Sequence, residues 1–142
     1  MRFALLSPVD DPADWRAALT AQFGPVTLDA WPDLDRDADY DYILAFRPRR
    51  GEVAKVRGAR VIFSLGAGVD GLADDPTLPA HLPIVRMLDE GLVQGMAEFV
   101  VHAVMAAHRD ADFFANAQRE HRWAFQGHAY AHERTVGILG LG

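Results

Sequence analysis

The sequence contains no cysteine, which excludes disulfides, thiolate nucleophiles and cysteine-held zinc together. Basic residues are the minority: 14 Lys and Arg stand against 20 Asp and Glu, for a net charge of -6. Nucleic acid and anionic membrane surfaces are therefore poor partners. No apolar run is long enough to span a bilayer. The longest, near Met96 to Ala107, is interrupted by Glu98 and His102. The opening run MRFALLSPVDD is broken by Ser7 and Pro8 and has no cleavage pattern, so it does not read as a signal peptide. The expectation is a cytoplasmic protein with neither nucleic-acid nor membrane partners. No Ser-His-Asp or Cys-His arrangement is readable along the chain.

What is present is a folded composition. Half the residues are hydrophobic and 24% are charged, and 142 residues suffice for one core with little left for a second. Short apolar runs at Arg2–Leu6, Val26–Ala30, Tyr42–Phe46, Arg60–Ser64 and Pro83–Met87 read as strands. Helical stretches alternate with them, at Pro12 to Phe23 and Glu52 to Val56, which argues for a parallel, doubly wound α/β sheet. Asp11-Pro12 suits a helix start, with Trp15, Ala18, Leu19 and Phe23 on one face. From Leu92 to Ala117 a single long helix is expected. Its stripe of Met96, Phe99, Val100, Ala103, Val104, Ala107 and Ala111 would face the core, and Val101, Met105 and Phe114 would widen the apolar surface. Residues 123–131 read as a loop leading to an apolar strand, Thr135 to Leu139.

The chain is organised around FSLGAGVDGL, Phe63 to Leu72. A strand ends where the glycines begin, and Gly66 and Gly68 let the backbone turn and approach a ligand closely. The amides of Ala67, Gly68 and Val69 are then placed to converge on an anion, at the carboxyl end of a strand where open α/β sheets bind ligands. The plainer reading is a tight strand-to-helix turn with Asp70 as the helix cap. A second glycine pattern closes the sequence: RTVGILGLG, Arg134 to Gly142, is an apolar run followed by Gly-x-Gly, the opening half of a dinucleotide-binding fingerprint.

Other chemistry-bearing residues have plain explanations. Asp33, Asp35, Asp37 and Asp39 lack the central glycine and terminal glutamate of a calcium loop and read as a solvated surface. His121, His128 and His132 have no firm helix or neighbouring carboxylate to make a metal site, and His102 and His108 fall on different helix faces. No metal site is assigned. Asp89 and Glu90 suit the start of the long helix as capping acids.

In order, LGAGVD, GMAEFVVHAVMAAHR and GILGLG resemble the D-isomer-specific 2-hydroxyacid dehydrogenases, most closely their glyoxylate/hydroxypyruvate reductase branch. The resemblance implies a flavodoxin-like substrate domain over 1–91 and a long inter-domain and dimerisation helix over 92–117. A linker loop over 118–133 would lead to the first strand and partial glycine-rich turn of an incomplete Rossmann domain over 134–142. It implies an NAD- or NADP-dependent oxidoreductase acting on a small 2-oxo or 2-hydroxy acid, as a homodimer. By the same resemblance, Ala67, Gly68 and Val69 hold the substrate carboxylate, and Phe46 and Arg47 match a specificity wall. Gly140, Gly142 and Met96 would contact the cofactor, Met96 on the nicotinamide side. Glu98 matches a glutamate taken as structural. The family's catalytic Arg, Glu and His map onto no position of this sequence, so no catalytic residue is assigned and the chain alone is expected to be inactive. The rival reading is a non-catalytic α/β module that binds a small carboxylate, or a protein partner through the long helix.

Overall fold

The computed structural model describes residues 1–140. The chain divides into two compact units, the first Met1–Leu88 and the second beginning at Asp89.

In the first unit, β1 (Arg2–Leu6), β2 (Thr27–Ala30), β3 (Tyr42–Ala45), β4 (Val61–Ser64) and β5 (Ile84–Val85) form a parallel sheet in the order β2-β1-β3-β4-β5. The α/β class and the expected strands are present, with ends that differ by a residue or two. RFALL, YILA and VIFS are near-continuous apolar runs because the inner strands of a parallel sheet are covered on both faces. Alternate residues go to opposite faces. Ala4, Leu6, Ile43, Ala45 and Ile62 join one buried cluster, closed by Leu34, Tyr40, Val53, Leu72 and Leu82. Phe3, Leu5, Leu28 and Leu44 join the other, closed by Leu19 and Trp15. Beyond that cover, Phe23, Tyr42, Phe63, Val85 and Met87 border an apolar cavity of about 430 Å³.

Helix α1 (Pro12–Phe23) starts as expected, with Asp11 accepting from the Ala13 amide and Pro12 in the first turn. Its expected apolar face is narrower than the spacing implied. Leu19 is buried and Trp15 half-buried, whereas Ala18 is exposed and Phe23 is 55% exposed. The sheet lies under the middle of the helix, and the carboxyl end overhangs the cavity. The stretch around Glu52 to Val56 is one 3-10 turn, Val53–Lys55. Helix α2 is a single turn, Asp70–Ala73; its cap position is Val69, with no side-chain capping bond, so Asp70 is not the cap. Arginines pair with part of the acidic stretch in and after β2, Arg57 holding Asp39 at 3.6 Å. Arg2 holds Asp29 at 2.6 Å and Asp35 at 3.1 Å, and Arg60 holds Asp41 at 3.1 Å.

The second unit corrects three expectations. The single long helix is two: α3 (Glu90–His108) and α4 (Ala111–Arg119). The break lies at Asp110, whose φ of +51° is left-handed and cannot continue a helix, and Asp tolerates that region better than most side chains. The start is as expected, with Asp89 accepting from the Leu92 amide at 3.0 Å. The apolar stripe of α3 is not buried. No residue of α3 is buried, and Val93 and Phe99 are 71% and 66% exposed. Periodicity identifies an apolar face, but only a second layer covers one; within this unit α4 packs against α3. Finally, Thr135 to Leu139 is not a strand. A strand needs a neighbour for its N–H and C=O groups, and no described residue pairs with it. Val136 and Ile138 are exposed, as an apolar segment outside the first sheet would be. No helix among the described residues is long and apolar enough to cross a membrane.

Candidate functional site

The glycine loop leaves β4 at Ser64 and is framed by the ends of three other strands. The Leu65 amide donates to Ala45 O at 2.9 Å, the Phe46 amide to Leu6 O at 3.1 Å, and the Met87 amide to Gly66 O at 3.3 Å. Ser64 fixes the turn from inside. Its buried hydroxyl lies 3.0 Å from Gly66 O and 3.3 Å from Gly68 O, and it accepts weakly from the Gly66 amide. With the Gly66 and Gly68 carbonyls turned in on Ser64, the amides of Ala67 and Val69, on the opposite edges of those two trans peptides, point away from it. Among the described residues, the N–H groups of Ala67, Gly68 and Val69 find no hydrogen-bond acceptor. Ala67 and Gly68 are exposed and Val69 half-buried. Three adjacent amides without intrachain partners are available to an acceptor from outside, and each would gain a charge-assisted bond from an oxyanion.

The two glycines do different work. A Cβ at Gly66 would come 3.3 Å from the Phe46 ring, so this position lets Phe46 lie against the loop. Among the described residues a Cβ at Gly68 would meet only Asp70 Oδ2, at 3.8 Å, so none of them requires its missing side chain, which leaves the amides open. The Asp70 carboxylate beside Gly68 opposes an incoming anion, and Asp70 is exposed. Phe46 is half-buried, and the Arg47 guanidinium lies over its ring at 5.4 Å. Ala67, Gly68, Val69, Phe46 and Arg47 therefore come together at the carboxyl ends of β3 and β4.

No protein-family model matches the chain. Individual proteins do. Over its whole length the chain is 31% identical to glyoxylate/hydroxypyruvate reductase A of Serratia proteamaculans, and it covers 47% of that protein. A D-isomer specific 2-hydroxyacid dehydrogenase from Xanthobacter autotrophicus, solved with NADPH and MES, superposes with a TM-score of 0.84 at 34% identity. That match covers 99% of this chain and 46% of the other. The chain is a relative of the D-isomer-specific 2-hydroxyacid dehydrogenases. An NADPH-dependent glyoxylate/hydroxypyruvate reductase from Sinorhizobium meliloti, solved with NADP and sulfate, gives 0.82 at 27% identity over 100% of this chain and 46% of its own. The chain thus spans about half the length of the dehydrogenases it matches.

The remaining residues singled out by the dehydrogenase resemblance lie in the second unit. Met96 is on α3 and 59% exposed. Gly140 has φ +81°, and no described residue lies within 4 Å of where its Cβ would be. Gly142 lies outside the described residues. Glu98 accepts from Gln94 Nε2 at 3.0 Å, one turn earlier on the same helix. The histidines have aromatic neighbours: His108 and His128 rings are 6.5 Å apart, and His132 stacks on Tyr130. Sequence reasoning missed Ser64, whose only signal was a hydroxyl at the last strand position before the glycines. Arg49 is exposed and stacks over the half-buried Trp31 at 4.7 Å, a contact between loops that spacing does not reveal.

Proposed function

We propose that these residues are the substrate-binding part of an NAD(P)-dependent 2-hydroxyacid dehydrogenase that reduces a small 2-oxo acid of the glyoxylate or hydroxypyruvate type. The observation that carries this reading is the row of partnerless amides at Ala67, Gly68 and Val69, in a chain whose relatives are reductases of such acids. The substrate carboxylate accepts from Ala67 and Gly68, with Val69 beside them, while Phe46 and Arg47 wall the position of the substrate's other end. Fixed amides stabilise the anion without reorganising, which orients the carbonyl for attack. The nicotinamide cofactor supplies the hydride when bound. The residues at hand suit it: Gly140 has the left-handed, open backbone that a close approach to phosphate needs. By the same resemblance Gly142, outside the described residues, is assigned to the cofactor as well, and Met96 offers an exposed apolar side chain for the nicotinamide side.

The domain plan follows the same reading: substrate domain over 1–91, inter-domain and dimerisation helix over 92–117, linker over 118–133, and the start of the nucleotide domain over 134–142. The protein is read as a cytoplasmic homodimer. No residue here is assigned as general acid, so these 142 residues bind substrate without turning it over. Calorimetric titration with oxalate, an unreactive mimic of glyoxylate, tests the reading. Weak binding is expected in the wild type, falling by about tenfold or more in Gly68→Val, whose side chain covers the amides. The Cβ of the variant meets only Asp70 Oδ2 among the described residues, at ordinary contact distance, and an unchanged melting temperature checks that the fold is kept. Equal binding by the two proteins, or none by the wild type, rejects the site.

A further inference from the structure

Ser64 is the last residue of β4, paired across the ladder with Ala45, and it is buried. A hydroxyl has one proton to give and two lone pairs with which to accept. The Gly66 amide, at 3.4 Å, takes one lone pair, the ordinary local bond of a serine turn. The carbonyls are the unusual part. Gly66 O at 3.0 Å and Gly68 O at 3.3 Å both lie within reach of the single proton, two and four residues along the chain. Gly66 O has a second donor, the Met87 amide at 3.3 Å, from the segment just after β5. Among the described residues, Gly68 O has no donor other than the Ser64 hydroxyl.

Each of these carbonyls shares a planar peptide with an amide of the anion loop: Gly66 O with the Ala67 N–H, and Gly68 O with the Val69 N–H. A bond to the oxygen of such a unit fixes the direction of its N–H. It also draws electron density toward the oxygen, which strengthens the N–H as a donor. The Gly68 N–H is different. It belongs to the peptide whose oxygen is that of Ala67, and no described group donates to that oxygen. The three amides therefore fall into two classes: Ala67 and Val69 are backed by the Ser64 hydroxyl, and Gly68 is not. The hold matters because Gly66 and Gly68 have the widest choice of backbone conformations to lose.

We propose that Ser64 is a positioning residue for the substrate carboxylate, one buried hydroxyl that aims and polarises the Ala67 and Val69 amides from behind. The inference rests on the carboxylate site proposed above. Ser64 does not touch the acid; it acts through the Gly66–Ala67 and Gly68–Val69 peptides. Gly66 O is the shorter contact, so the main relay runs from the Ser64 hydroxyl through that peptide to the Ala67 N–H and the carboxylate. The Met87 amide adds to the same oxygen, which makes Ala67 the strongest donor of the three.

Oxalate titrations followed at the backbone amides test this in the wild type, Ser64→Ala, Ser64→Cys and Ser64→Thr. Loss of the hydroxyl in Ser64→Ala is expected to weaken oxalate about threefold to tenfold. The loss should be uneven: at saturation the oxalate-induced shift shrinks at Ala67 and Val69 and is kept at Gly68. Ser64→Thr retains a hydroxyl and should stay within about twofold of the wild type. Ser64→Cys fills the place with a weak S–H donor and should follow Ser64→Ala, so it decides the matter if the alanine variant does not fold. A serine that merely stabilised the loop would reduce all three shifts together, and that result overturns the proposal. Wild-type affinity in Ser64→Ala or Ser64→Cys overturns it too, as does a loss in Ser64→Thr equal to that in Ser64→Ala. No shift at Ala67 to Val69 in the wild type overturns the carboxylate site itself, and this inference with it.

Discussion

Asp70 sets the balance at the amide loop. Its carboxylate is the like charge nearest Gly68, and it is exposed, so water screens much but not all of the repulsion. Asp70→Asn is expected to tighten oxalate binding about two- to fivefold with little change in melting temperature; weaker binding would mean that the carboxylate helps to shape the loop. A second residue-scale device holds the segment that carries Arg47. Asp75 accepts from the Gly51 amide at 2.8 Å and from the Thr77 amide and hydroxyl at 2.9 and 2.7 Å. These bonds, the Gly51 one foremost, hold its carboxyl below the ordinary value of 3.8. A carboxyl whose value is lowered by folding stabilises the fold in full above the unfolded value, and loses that contribution as the pH falls through the lowered native value. Wild-type melting temperature should therefore drop more steeply than that of Asp75→Asn below about pH 3.8, and lie above it at neutral pH. Parallel curves in thermal melts across that range would show that the bonds contribute nothing.

At the scale of elements, α3 and the segment after it carry the predictions. Val93, Phe99 and Val101 expose apolar side chains on one helix, and broad apolar surfaces on soluble proteins mark interfaces. Sedimentation at micromolar concentration should show a dimer, and Phe99→Glu should shift it to monomer. A monomeric wild type would remove α3 as the contact. The segment Val136 to Leu139 has no ladder partner among the described residues. Its amides should exchange with solvent far faster than those of Val61 to Phe63 in β4, and equal protection would mean that the segment has a strand partner. These elements also mark where the sequence was legible. RFALL, YILA and VIFS could be placed because strands buried on both faces are apolar runs cut off by turn residues. The α3–α4 break was illegible because Arg109-Asp110 contains neither glycine nor proline, and Asp enters the left-handed region without a local signal. The exposure of α3 was illegible for another reason: spacing defines a face and is silent on what lies against it.

For the molecule as a whole, the sheet order matters more than any one motif. It brings the ends of β1, β3 and β4 side by side, and so gathers Ser7, Phe46, Arg47 and the Ala67 to Val69 loop from distant parts of the sequence. Gly66 and Gly68 announced the loop in the sequence. Ser64, which turns the carbonyls inward, and Phe46, which packs on Gly66, acquire their roles only through that order. The central claim is that this folded loop presents bare amides to a carboxylate. Backbone amide shifts followed during a glyoxylate titration test it most directly. Saturable shifts centred on Ala67, Gly68 and Val69, absent in Gly68→Val, are the predicted result. Shifts confined to other residues, or unchanged in the variant, would contradict it.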